Sequence, residues 1–194
     1  MFLPKEMTTN RINATGEPQI ISKPVVLVGL MGAGKSTIGR RLASALSVPF
    51  VDSDAEIIEA AGCSISDIFE GYGEHIFRDL EQRVILRLMT GLPCVVATGG
   101  GAYIQPAIRE AIAQKAISVW LKADLPVLLE RVSRRDNRPL LKTGDKSEIL
   151  QKLIDERYHI YAQSDITIDS NMGPHESVVE DIVCALKQWQ KKDA

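Results

Sequence analysis

The run Gly29-Leu30-Met31-Gly32-Ala33-Gly34-Lys35-Ser36-Thr37 contains the residue types needed to enclose a chain of phosphates. Its glycines let backbone N–H groups curl around phosphate oxygens, and Lys35 extends toward the β and γ positions. Gly32, Ala33, Gly34, Lys35, Ser36 and Thr37 form the cradle itself. Ser36 brings a hydroxyl to the place where a magnesium ion between the β and γ oxygens needs a hard ligand. Such an ion also calls for a carboxylate. The apolar run Val95-Val96-Ala97-Thr98 ends in Gly99-Gly100-Gly101 and offers none. Asp52-Ser53-Asp54 follows Phe50-Val51 instead, and strand alternation would point both aspartates to one side. On a parallel sheet that side lies at the carboxyl edge, where ligands bind. Acids just after a strand serve equally often as helix caps, so the pair reads as a site or as a cap.

Arginines are the second chemical signal. Arg78 stands three residues before Glu81, a spacing at which a helix lets the two pair and fixes the guanidinium's direction. Arg131, Arg134, Arg135 and Arg138 crowd into eight residues, and Arg157 lies further on. Such a cluster reads either as a solvated face or as a loop that closes on a transferring phosphate and excludes water. Planar bidentate donors elsewhere in the chain suit a carboxylate on an acceptor.

These residues need a frame that alternates strands and helices. Short apolar runs at Val25–Val28, Phe50–Asp52, Cys94–Ala97, Ile117–Leu121 and Ile166–Ile168 read as strands buried on both faces. The stripes Phe77, Leu80, Val84, Leu88 and Val178, Val179, Ile182, Val183, Leu186, Trp189 have helical spacing. The pattern predicts an α/β fold, a parallel sheet with helices on both faces. Residues 1–23 lack periodicity and are expected to form a flexible extension, with one domain over 24–192. Residues 134–146, rich in Arg, Asp, Gly and Lys, are expected to form a mobile lid.

Composition closes off other classes. The 194 residues carry 23 Lys and Arg against 25 Asp and Glu, a net charge of −2, which leaves no excess of positive charge for nucleic acid or an anionic membrane. The three cysteines have no CxxC spacing, which argues against a disulfide framework or a zinc site and for a reducing, cytoplasmic setting. No apolar run approaches the ~20 residues of a membrane span. His75, His159 and His175 read as surface residues.

Taken in order, Gly29 to Thr37, Asp52-Ser53-Asp54, Phe77-Arg78-x-x-Glu81, Gly99-Gly100-Gly101, Arg138-Pro139-Leu140-Leu141 and Arg157-x-x-x-Tyr161 resemble the shikimate kinases, over nearly all of residues 23–191. The resemblance implies a three-layer P-loop kinase fold with a five-stranded parallel sheet, and phosphoryl transfer from ATP, with Mg2+, to the 3-hydroxyl of shikimate. It implies that Lys35 and Ser36 hold phosphates and magnesium, with Asp52 supporting the metal through water. Asp54 would hold the shikimate hydroxyls and act as base. Arg78 and Arg157 would grip the shikimate carboxylate, with Glu81 orienting Arg78 and with Gly100 and Gly101 against the ring. Arg138 would reach both phosphate and acceptor. Arg134 would lie on adenine, with Arg135 the adjacent alternative, and Asn171-Met172-Gly173-Pro174 would wrap the base. Shikimate and ATP are the expected partners and a monomer the expected state. A gluconate or nucleoside monophosphate kinase on the same scaffold would leave the Arg78 and Arg157 pair and the triple glycine without a shared role. A non-catalytic nucleotide-binding module would have no need of Asp54 or Arg138.

Overall fold

Runs of Val, Leu and Ile too short for a helix, each followed by a turn and an amphipathic stretch, give the chain its βα rhythm. The structure, a computed structural model, describes residues 20–134, 145–171 and 173–193. Its elements are β1 (Val25–Val28), α1 (Lys35–Leu46), β2 (Phe50–Asp52), α2 (Ser53–Ala61), α3 (Ile65–Leu88) and β3 (Val95–Ala97). A single 3-10 turn (Ala102–Ile104) follows, then α4 (Pro106–Lys115), β4 (Ile117–Lys122), α5 (Leu125–Ser133), α6 (Lys146–Tyr161), β5 (Ile166–Asp169) and α7 (His175–Asp193). The five strands make one sheet in the order β2-β3-β1-β4-β5, and every pairing is parallel. Each strand therefore ends on the same edge, and the loops leaving β1, β2 and β3 carry the candidate site together.

The central strands β1, β3 and β4 are buried, as expected. The outer strands differ: β2 is half-buried along its length and β5 exposes Thr167 and Asp169. Edge strands receive less cover from the helix layers, so the expectation of burial on both faces fails there. Helices α2 and α3 enclose a smaller cluster of their own, Ile57, Ile68, Phe77 and Val84, beside the main core. Gly73, with φ 81° and ψ 169°, breaks α3 into two helical segments. The second segment carries the expected stripe and also Arg78 and Glu81.

Ile21 is fully buried in the main core and Ile20 packs against it. The packed domain thus begins before Pro24, because Ile20 and Ile21 supply apolar cover that the sequence pattern did not mark as part of an element. The rest of the expected extension, residues 1–19, lies outside the described residues. At the other end of the core, Trp120 packs edge-on against Tyr158, with ring centroids 5.0 Å apart. Its ring also borders the first turn of the phosphate loop: a Cβ at Gly29 would lie 3.3 Å from Trp120 Cδ1 and 2.7 Å from the Leu121 carbonyl oxygen. With φ at 135° as well, that position admits only glycine. Among the described residues no helix is long and apolar enough to cross a membrane.

Candidate active site

The loop between β1 and α1 wraps toward the N-terminus of α1, where backbone N–H groups and the helix dipole favour anions. Gly32 and Gly34 have positive φ, and Gly34 caps α1. The buried Lys35 ammonium donates to the carbonyl oxygens of Gly29 (2.7 Å) and Leu30 (2.8 Å), so it rests on the loop it must serve. Gly32, Gly34, Ser36 and Thr37 line a cleft of about 380 Å³, with Arg131 and Arg134 on its opposite wall.

Ser36 Oγ donates to Asp52 Oδ2 at 2.9 Å. The other oxygen of the same carboxylate accepts from the Asp54 backbone N–H, at 3.1 Å, and caps α2. The sequence left cap and site as alternatives, and Asp52 has both geometries. A hydroxyl and a carboxylate this close are hard oxygen donors of the kind magnesium takes alongside phosphate oxygens. The alternation argument does not hold for Asp54. That residue lies in the first turn of α2 rather than on the strand, because the cap at Asp52 starts the helix at Ser53. Asp54 still reaches the glycine turn after β3, with Oδ1 3.0 Å from where a Cβ on Gly99 would sit.

A second cluster is built around the Gly99-Gly100-Gly101 turn after β3. A Cβ on Gly101 would fall 2.7 Å from Arg78 Nη1 and 2.8 Å from Nη2, so the guanidinium lies flat where glycine's missing side chain leaves room. Arg78 Nη1 donates to Glu81 Oε2 at 2.7 Å, and Nε and Nη2 donate to Glu74 Oε1. Burial raises the Glu81 pKa above the ordinary carboxylate value, opposed by Arg78 and reinforced by the charge of Asp54. From the other side, Arg157 Nη1 donates to the Gly100 carbonyl oxygen at 3.3 Å, and the buried Tyr161 hydroxyl donates to the same atom. Burial pushes the Tyr161 hydroxyl up to about 12, so it stays a donor. Gly101→Ala is expected to displace Arg78 and to raise the KM for a carboxylate acceptor about 10- to 100-fold. The flexible guanidinium can yield, so thermal stability should hold; an unchanged KM would show that the close seat of Arg78 on Gly101 does not set the affinity.

Lys35, Ser36 and Asp52 are therefore grouped at the loop between β1 and α1, and Asp54, Arg78, Gly100, Gly101 and Arg157 around the glycine turn after β3. Arg134 stands on the wall of the cleft, its guanidinium 2.5 Å from Glu130. Arg138 and Arg135, with the rest of 135–144, lie outside the described residues, as does Met172 in the expected base-wrapping stretch. That stretch is fastened to the fold at Asn171, whose side chain exchanges hydrogen bonds with Asp124 (2.8 and 3.1 Å).

Three residues escaped sequence reasoning. Arg131, grouped by sequence with the loop arginines, belongs to α5, where it donates to the Asn171 carbonyl oxygen (3.0 Å) and to Ser170 Oγ (3.3 Å), bracing the cleft. Burial lowers its pKa from the ordinary value. Its place three residues before Arg134, on one helical face, was the available signal. His175, read as a surface residue, lines the cleft at the start of α7. Gln105 donates to Glu81 Oε2 at 2.8 Å, a contact across 24 residues that no local spacing announces.

A model of the shikimate kinase family matches residues 31–187. The chain belongs to that family. The shikimate kinase of Rhodopseudomonas palustris is 53% identical over 167 residues, which is 86% of this chain and 82% of the relative. The shikimate kinase of Brucella canis is 47% identical over 189 residues, 97% of this chain and 94% of the relative. Among solved structures, the shikimate kinase from Acinetobacter baumannii in complex with shikimate superposes with a TM-score of 0.80 at 39% identity. The match covers 84% of this chain and 91% of that one. The five-stranded parallel sheet expected from the sequence is thus the frame of a P-loop kinase of the shikimate kinase family.

Proposed function

We propose that Asp54, Arg78, Arg157 and the Gly100–Gly101 backbone receive shikimate, while Lys35, Ser36 and Asp52 receive the ATP phosphates and magnesium. The chain is a shikimate kinase, transferring the γ-phosphoryl group of ATP to the shikimate 3-hydroxyl to give shikimate 3-phosphate and ADP. One observation carries the assignment of roles: two arginines from different helices reach one glycine turn from opposite sides, with the Asp54 carboxylate at its first residue. An acceptor with one carboxylate and three hydroxyls meets planar cationic donors, a carboxylate acceptor and bare backbone there.

Phosphoryl transfer is governed by position and by charge. The two arginines would fix the carboxylate and so point the 3-hydroxyl along the line to the γ phosphorus. Asp54 would orient that hydroxyl and take its proton as the new O–P bond forms and the bond to the leaving ADP oxygen breaks. Lys35 would leave the carbonyl oxygens of Gly29 and Leu30 for the β and γ oxygens. Ser36 and Asp52, the latter through water, would hold magnesium, which when bound draws negative charge off the phosphates. The roles of Arg134 on adenine and of Arg138 on phosphate and acceptor belong to the same proposal and rest on the sequence resemblance. Both halves of the site come from one chain, which supports a monomer, and the three free thiols support a reducing cytoplasm.

ADP release across shikimate, gluconate and nucleoside monophosphates tests the acceptor. Arg78→Ala and Arg157→Ala should each weaken shikimate binding by about 1.5–3 kcal/mol, the cost of a lost charged hydrogen bond, and leave ATP affinity nearly unmoved. Loss of ATP binding with shikimate binding intact would assign both arginines to the nucleotide.

A further inference from the structure

Glu81 is a carboxylate with 0% exposure on α3, whose other buried residues are Ile68, Phe77, Val84 and Ile85, and it holds the arginine most closely applied to the glycine turn. Oε2 accepts both Arg78 Nη1, at 2.7 Å, and Gln105 Nε2, at 2.8 Å. Oε1 has no hydrogen-bond partner among the described residues. The charged groups facing it are Arg78 from its own helix and Asp54 from α2. From the junction of the 3-10 turn and α4 it meets only the neutral Gln105 amide.

Gln105 is itself well anchored. Its backbone N–H donates to the Ala102 carbonyl oxygen, its own carbonyl oxygen accepts from the Arg109 N–H, and Pro106 starts α4 immediately after it. Gly101 and Gln105 thus bracket one short turn, and each meets one member of a pair three residues apart on α3: Gly101 meets Arg78, and Gln105 meets Glu81. The same guanidinium is held at its other edge by Glu74, which accepts from Nε and Nη2 and whose side chain is 66% exposed, so Glu81 is the buried one of its two carboxylate partners.

We propose that Gln105 is a positioning residue for shikimate: its amide fixes the Glu81 carboxylate, and through it holds Arg78 flat against Gly101 to receive the acceptor's carboxylate. The inference rests on Arg78 being part of the shikimate grip. Without the amide, Glu81 keeps one hydrogen bond in a buried site and accepts a proton more readily. A protonated or rotated Glu81 then leaves Arg78 held from its helix by the exposed Glu74 alone, and its seat against Gly101 loosens.

The test compares Gln105→Leu and Gln105→Glu with the parent enzyme, by steady-state kinetics in both substrates between pH 5.5 and 8.5, as about the usable range of the assay. Gln105→Leu should raise the KM for shikimate about three- to tenfold, with kcat and the KM for ATP little changed. The Gln105 amide lowers the Glu81 pKa, so removing it moves the acid-side loss of shikimate affinity to higher pH. Gln105→Glu should behave oppositely. A protonated acid at that position donates to Glu81 as the amide does, so its KM should be nearest the parent at low pH and rise as pH rises. A merely structural role would lower the thermal midpoint and leave these opposite pH trends absent. Should Gln105→Leu fail to fold, the Gln105→Glu profile decides alone. A parent-like shikimate KM in Gln105→Leu, a rise shared by ATP, or parallel pH profiles in the two variants would overturn the proposal. Arg78→Ala is measured alongside. If it raises the shikimate KM while Gln105→Leu does not, the relay through Gln105 fails and the grip by Arg78 stands. If Arg78→Ala leaves that KM unchanged, the grip fails and the relay with it.

Discussion

Asp54→Asn should lower kcat by roughly 10²- to 10⁴-fold, the scale of a lost general base, while the KM for ATP stays near its parent value. The substitution is close to isosteric and leaves the cap of α2 in place, because the cap bond runs from the Asp54 backbone N–H to the Asp52 carboxylate. Asn can still accept a hydrogen bond from a shikimate hydroxyl, but it cannot take the proton. The effect should therefore appear in kcat more than in the KM for shikimate. Near-parent turnover in a folded variant would remove Asp54 from the chemistry and reduce it to a hydroxyl contact. A loss confined to the shikimate KM would assign it to binding alone.

The second large effect is expected at Lys35. Lys35→Met removes the ammonium and keeps most of the chain's length, and kcat should fall by about 10²- to 10³-fold, as for other preorganised donors to transition-state charge. A stability cost comes with it, since the carbonyl oxygens of Gly29 and Leu30 lose the donor they have in this structure. That cost should be about 1–3 kcal/mol, read as a lower midpoint in denaturant. The two measurements separate: a variant that is less stable yet turns over at the parent rate under saturating ATP would confine Lys35 to holding the loop in shape.

Much of this was open to sequence reasoning, for physical reasons that differ along the chain. Strands β1, β3 and β4 are central to a parallel sheet, so nearly every side chain is apolar and the runs stand out; β3 begins at Val95, one residue after the expected Cys94. The phosphate loop is legible because its chemistry is backbone chemistry, and only glycine and a terminal Lys-Ser permit it. Asp54 was harder. The transition from strand to helix happens inside Asp52-Ser53-Asp54, and the side-chain cap that decides it is one weak interaction with no periodic signature. The first segment of α3 carries Phe69 and Tyr72 on exposed positions, so its apolar residues do not form the single stripe that marked the second segment. Glu81 sits in a helical pattern like any surface glutamate. Its complete burial follows from Gln105 and the glycine turn arriving from elsewhere in the chain, which spacing within the helix cannot reveal.

The indole of Trp120 against the first glycine of the phosphate loop gives the molecule an optical readout of its own. The chain has only two tryptophans, and the other, Trp189, lies on α7 beneath the Lys23 ammonium, 5.5 Å from its ring centroid. The two fluorophores thus report from different places, one beside the loop that closes around phosphate and one where the N-terminal end of the domain meets its last helix. Replacing Trp189 by Phe would leave a single emitter at the nucleotide end. Its emission could then follow occupancy of that loop in real time, without a label and without turnover.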